Sequence, residues 1–135
     1  MGNAVYDKGR QKFLEGSIAW LTDTITAVIV DINDYVVNLA SHEFLSDVPV
    51  GARVATSPAL TAKTTTAGVA DCADITFTAV SGDVAEGMVV IKDTGNAATS
   101  PLIAYLDTAT GLPVYPTGGD VVVVVDAGPN KLFKL

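Results

Sequence analysis

Apolar residues in this chain fall in short runs divided by Gly, Pro, Asn and Asp, and only the first stretch spaces them at helical intervals. Val5, Tyr6, Phe13 and Leu14 fit one face of a short helix, with Asn3 placed to cap its start and Gly16 to stop it. Gly9 in the middle weakens such a helix by about 1 kcal/mol relative to alanine, so it is expected to need a surface to lie on. From Thr24 onward the pattern turns to strands. Thr24 to Ile32 is rich in β-branched residues and apolar at consecutive positions, as in a central strand covered on both faces. A single helical turn is predicted over Ser41–Leu45, with Ser41 as its cap and Pro49 ending the segment.

Further strands are predicted over 53–56, 61–66 and 74–80, the last with Ile75, Phe77 and Ala79 inward and Thr76 and Thr78 outward. Met88 to Asp93 and Leu102 to Asp107 flank a loop rich in Gly, Asn, Ser and Pro and read as antiparallel neighbours. Val114 to Pro116, the five valines Val121–Val125, a turn at Gly128-Pro129-Asn130 and a final run from Lys131 to Leu135 complete the chain. Five valines in a row leave no polar face, so that strand is expected to be covered twice or to bury one side against a partner chain, since an open apolar edge aggregates.

With turn signals about every ten residues, the pattern predicts a mainly β fold: an antiparallel β-sandwich or open barrel of about seven to nine strands with a short N-terminal helical arm. The division is an arm over 1–22 and a β domain over 23–135. At 135 residues the chain has the size of one domain, and a folded chain of this mass exposes about 6,700 Å².

Charge and composition narrow the chemistry. Fifteen acidic residues against eight basic ones give a net charge of -7, which opposes binding to a nucleic-acid backbone. Asp31, Asp34 and Asp93 interrupt the most apolar regions, so no membrane-spanning helix is expected, and Met1-Gly2-Asn3 opens no apolar signal core. A soluble protein made in a reducing cytoplasm fits these features. The single cysteine, Cys72, excludes an internal disulfide; it lies between Asp71 and Asp74, which raise a thiol's pKa, and reads as a small buried side chain.

Catalytic and metal signatures are weak. His42 is the only histidine and its neighbours Ser41 and Glu43 are successive in sequence, so they do not converge on it; a structural role is expected. The acidic pairs Asp31/Asp34, Asp71/Asp74 and Asp83/Glu86 lack the spacing of a calcium loop and sit at strand ends, where Asp serves local backbone bonding. No catalytic residue, metal or cofactor is expected. Trp20 reads as a core anchor joining arm to sandwich; the sharper alternative is a carbohydrate platform built from Trp20, Tyr105 or Tyr115.

Several segments carry a resemblance: Tyr6-Asp7-Lys8-Gly9-Arg10 with Phe13-Leu14 and Gly16 to Trp20, then Thr24-Ile25, Val30-Asp31 and Asn38 to Leu45. Pro49 to Val54, the hairpin Ile91 to Gly95 with Pro101 to Tyr105, and the ending from Gly118-Gly119-Asp120 to Asn130–Leu135 extend it nearly end to end. In these the chain resembles small virion structural proteins of tailed bacteriophages, of the capsid decoration or cement type. The resemblance implies no catalytic residues. It implies a protein on the capsid exterior, assembled in the host bacterial cytoplasm, whose partner is the major capsid protein and which forms a homo-oligomer, with a trimer favoured.

A negative domain is better tolerated outside a DNA-filled shell than inside it, which agrees with that placement. Tyr6, Lys8, Arg10, Lys12 and Phe13 of the arm are the expected capsid-binding residues, the aromatics as anchors and the cations on acidic rim groups. The other arrangement for the same residues is a helix packed on its own sandwich. The alternative function is a tail or fibre-associated virion protein that binds host surface glycan.

Overall fold

A computed structural model describes residues 4–125 and 131–135. The expected cap Asn3 and the turn at Gly128-Pro129-Asn130 lie outside the described residues. The order of elements is β1 (Ala4–Val5), α1 (Asp7–Leu14), β2 (Ile25–Val30), β3 (Arg53–Thr56), β4 (Val69–Ala70), β5 (Ile75–Phe77), β6 (Gly87–Lys92), β7 (Leu102–Leu106), β8 (Val121–Val123) and β9 (Phe133–Lys134). The fold is mainly β, and every strand pair is antiparallel. The accessible surface is 6403 Å², close to the size expected of one folded domain.

Five strands form the main sheet in the order β1-β7-β6-β2-β3, while β4-β9 and β5-β8 form two-stranded sheets. β2 is interior, as its uninterrupted apolar run predicts, although β6 is the middle strand. Successive side chains of a strand point to opposite faces, so a wholly buried strand needs two covers. Ile25, Ala27 and Ile29 of β2 join Met88, Val90, Ile103 and Leu106 in a layer that also holds Trp20, Phe77, Val123 and Phe133. Val28 and Val30 turn the other way with Val89, Ile91, Leu102 and Tyr105, onto Tyr6, Tyr35, Val48 and Ala52.

The start of the chain is woven into this sheet. Ala4 and Val5 pair with Tyr105 and Ala104, and the next amide, Tyr6 N–H, donates to Ile103 O at 3.0 Å. α1 then runs over the same strand: a Cβ on the buried Gly9 would stand 2.8 Å from Leu102 O and 3.0 Å from Ile103 O. Helix and strand backbones therefore meet at a separation only glycine allows. The edge of the main sheet is thus covered by the arm, which is one way to keep an edge from pairing with another chain. Gly16, at φ +76°, follows the helix as the expected stop.

Several expected elements differ. The helical turn lies at Leu45–Asp47 instead of 41–45, because Phe44 makes an extended bridge with Pro101 and the Asp47 carboxylate accepts the Glu43 and Phe44 N–H groups at 2.7 and 3.1 Å. The 61–66 stretch forms no strand: Thr64 makes an isolated bridge with Asp71, and Thr66 opens a short 3-10 turn. Ile75 and Phe77 are buried and Thr76 is exposed as predicted, but Ala79 is exposed, with φ +49°, where the chain turns and Asp120 accepts its N–H. The valine run does alternate within this chain: Val123 is buried, while Val122 and Val124 are exposed on the outer side.

Candidate functional site

The five arm residues fall into two groups. Tyr6 is fully buried, and its hydroxyl lies 2.7 Å from that of Tyr35. Phe13 packs against Phe133 with ring centroids 6.2 Å apart, and Phe133 meets Trp20 edge-on at 5.4 Å. Lys12 donates to Glu43 at 2.8 Å and stands 5.0 Å from the centre of the Phe44 ring. These three residues are engaged within the chain. Lys8 is half-buried and Arg10 exposed, the latter 3.5 Å from Asp7, and the neighbouring Leu14 is 90% exposed. The helix therefore packs on its own sandwich, with Asp7, Arg10, Gln11 and Leu14 on its exposed side and Lys8 half-buried at the opposite flank.

The sequence signals for chemistry resolve into local structure. Cys72 is buried and its thiol is pushed up to about 12, first by burial and then by Asp71 and Asp74. His42 stacks on Tyr35, and its Nδ1 lies 2.9 Å from the Tyr35 hydroxyl. Asp71 accepts the Cys72 N–H and pairs with Lys131 at 3.2 Å, and Asp74 accepts the Val125 N–H. Trp20 is buried in the core beneath the arm. Of the three aromatics considered as a carbohydrate platform, Trp20 and Tyr105 are buried and Tyr115 is exposed.

Two of the acidic pairs do meet, through folding instead of spacing. β2 ends at Val30 opposite Gly87, so Asp31 and Glu86 are neighbours, and the Glu86 N–H donates to Val30 O. Carboxylate oxygens of Asp31, Asp34 and Asp83 lie within 4.8 Å of one another, with Asp31 buried and the other two exposed. Hard oxygen ligands of this kind suit a divalent cation, but three are about half of what calcium takes. Asp31 already accepts the Asn33 N–H at 2.9 Å, the local bonding expected of Asp at a strand end.

Beside this cluster a groove of about 500 Å³ runs along the end of the main sheet. Its walls are the 32–37 segment, Glu86 ahead of β6, Tyr105 and Asp107 at the end of β7, and Pro113. Gly87 makes room for the Tyr105 ring: a Cβ there would lie 2.6 Å from both the ring and its hydroxyl. One carboxylate oxygen of Glu86, Oε1, is buried without a hydrogen-bond partner. Burial, and after it the charge of Asp31, raises the Glu86 pKa above the usual carboxylate value. Tyr105 is pushed up to about 12 by burial, then by Asp107 and more weakly by Glu86. Sequence reasoning named Glu86 only as half of an acidic pair; the missing signal was the register of β2 with β6. No protein-family model and no curated protein shows significant similarity to the chain. Among the described residues no helix is long and apolar enough to cross a membrane.

Proposed function

We propose that this protein is a capsid decoration protein of a tailed bacteriophage, binding the outside of the head and bridging major capsid protein subunits. The observation that carries this reading is the outward side of the valine run, where Val122 of β8 and Val124, just beyond it and bridged to Thr110, are 47% and 39% exposed. An apolar strand face of this kind is stable in solution when another protein surface covers it. The net charge of -7 disfavours a nucleic-acid partner, which agrees with this reading. On this reading the arm contributes Arg10 and Leu14 to the contact, and a symmetric oligomer, with a trimer favoured, is the assembling unit.

The test is addition of purified protein to expanded capsids that lack it. Saturable binding at a fixed stoichiometry, with increased resistance of the shell to heat, is the expected outcome. Shells that take up no protein would reject the reading.

A further inference from the structure

We propose that the Tyr6–Tyr35–His42 chain is a proton-operated latch on the N-terminal arm, closed while His42 is neutral and released when its Nδ1 takes up a proton. This goes beyond the shell reading and does not depend on it.

The direction of the chain follows from one backbone donor. Asn38 N–H points at His42 Nδ1 at 3.4 Å, and a backbone N–H can only donate, so Nδ1 is an acceptor and the neutral ring carries its proton on Nε2. Tyr35 therefore donates its hydroxyl proton to Nδ1 at 2.9 Å, and Tyr6 donates to the Tyr35 oxygen at 2.7 Å. Every hydroxyl proton then has an acceptor.

A proton on Nδ1 puts three donors on two contacts. Whichever way the hydroxyls turn, one O–H is left over, and Asn38 N–H faces another donor. Tyr6 and Tyr35 are 0% and 1% exposed, so water does not reach the surplus proton, and among the described residues neither hydroxyl has a further partner. The ring itself is half-buried, which leaves it open to protons from solvent. The charged groups about it are Asp47, whose field reaches the ring, and Glu43, next in the chain and paired with Lys12 at 2.8 Å. Asp47 attracts an imidazolium, so the charge is accommodated and the penalty falls on the hydrogen bonds.

What these bonds hold is the start of the arm. The 35–42 segment grips it twice, through the Tyr35 hydroxyl on Tyr6 and through Leu39 O, which accepts the N–H of Asp7, the first residue of α1, at 2.8 Å. Loosening the segment therefore frees the arm where the chain enters the helix, a local opening that leaves the main sheet paired.

The experiment is amide hydrogen exchange followed by NMR on the full chain at pH 8 and pH 5.5, across the interval in which imidazole titrates. After correction for intrinsic rates, protection of the Asp7 amide relative to that of Val28 in β2 is expected to fall about tenfold on acidification. In His42→Gln, which has no imidazole to titrate, the same ratio is expected to be equal at the two pH values. Ring nitrogen shifts of the parent at pH 8 are expected to place the His42 proton on Nε2. A proton on Nδ1, an unchanged ratio in the parent, or an equal fall in His42→Gln would overturn the proposal. The two parent measurements decide it if the variant does not fold.

Discussion

The hydroxyl of Tyr6, at the start of the arm, lies 2.7 Å from the hydroxyl of Tyr35, beyond the end of β2. The chain of bonds continues from Tyr35 to His42 Nδ1 at 2.9 Å. The start of the arm and the 35–42 stretch are thereby tied beneath one face of the main sheet. Burial raises the pKa of both phenols, so both are neutral hydrogen-bonding groups at any ordinary pH.

Removing the middle member should cost most. Tyr35→Phe leaves the Tyr6 hydroxyl and the His42 ring without their shared partner and is expected to lower stability by about 2–4 kcal/mol, against about 1–2 for Tyr6→Phe. Urea unfolding of both variants and the double variant measures this. A Tyr35→Phe protein as stable as the parent would show that the three groups are not coupled.

Gly9 carries a prediction of opposite sign to helix propensity. Alanine normally stabilises a helix interior by about 1 kcal/mol over glycine. Here the added Cβ would stand 2.8 Å from Leu102 O, so Gly9→Ala must push α1 off β7 and is expected to destabilise by about 1–3 kcal/mol. Thermal melts of the variant decide it, a gain in stability being the contrary result.

Stability should fall on the alkaline side. Cys72 and Tyr105 are both pushed up to about 12, from ordinary values of 9.0 and 10.0, so the unfolded chain ionises first. Their contribution is complete below pH 9 and is lost as pH rises toward 12. At the other end, backbone N–H groups of Ala19 and Glu43 hold Asp23 and Asp47 below the usual carboxylate range, and that contribution is lost on acidification through their folded values. The native Cys72 thiol should also react with a disulfide reagent at pH 8 about a hundredfold more slowly than in urea. Equal native and unfolded rates would contradict its burial.

Glu86 works in the reverse direction at neutral pH. Its raised pKa means that ionisation opposes folding above the ordinary carboxylate value, and the opposition vanishes in acid. Glu86→Gln is therefore expected to melt higher than the parent at pH 7 and equally at pH 4. A variant that melts lower at pH 7 would show that the carboxylate contributes to the fold.

The exposed valines give a test that separates stability from association. Val122→Glu replaces a half-exposed side chain and should change folding free energy by no more than about 0.5–1 kcal/mol. Sedimentation and capsid-binding assays should nevertheless show association reduced about tenfold or more, if this face is the contact. Unaltered binding would place the interface elsewhere.

What was legible in the sequence follows from where the physics is local. β2, β6 and β7 declared themselves through apolar, β-branched runs and flanking turn residues, because strand burial on two faces leaves a continuous apolar signal. Gly16 was readable as a helix stop for the same reason, since its backbone geometry is decided within one turn. The valine run could not show which of its members face outward, because five identical residues carry no record of it; pairing with Ile75 and Phe77 decides that. The roles of Tyr6, Lys12 and Phe13 were also out of reach, each being set by a partner at least 29 positions away, and the groove at Glu86 depends on a strand register that no spacing reveals.

The pairing of Ala4 with Tyr105 also dictates an order of events during synthesis. About a hundred residues must leave the ribosome before the opening strand has anything to join, so the arm waits as a loose tether while the hairpin of β6 and β7 is made. Only when that hairpin exists can the helix close over it, which makes the arm, although synthesised before its partners, among the last parts to be fastened.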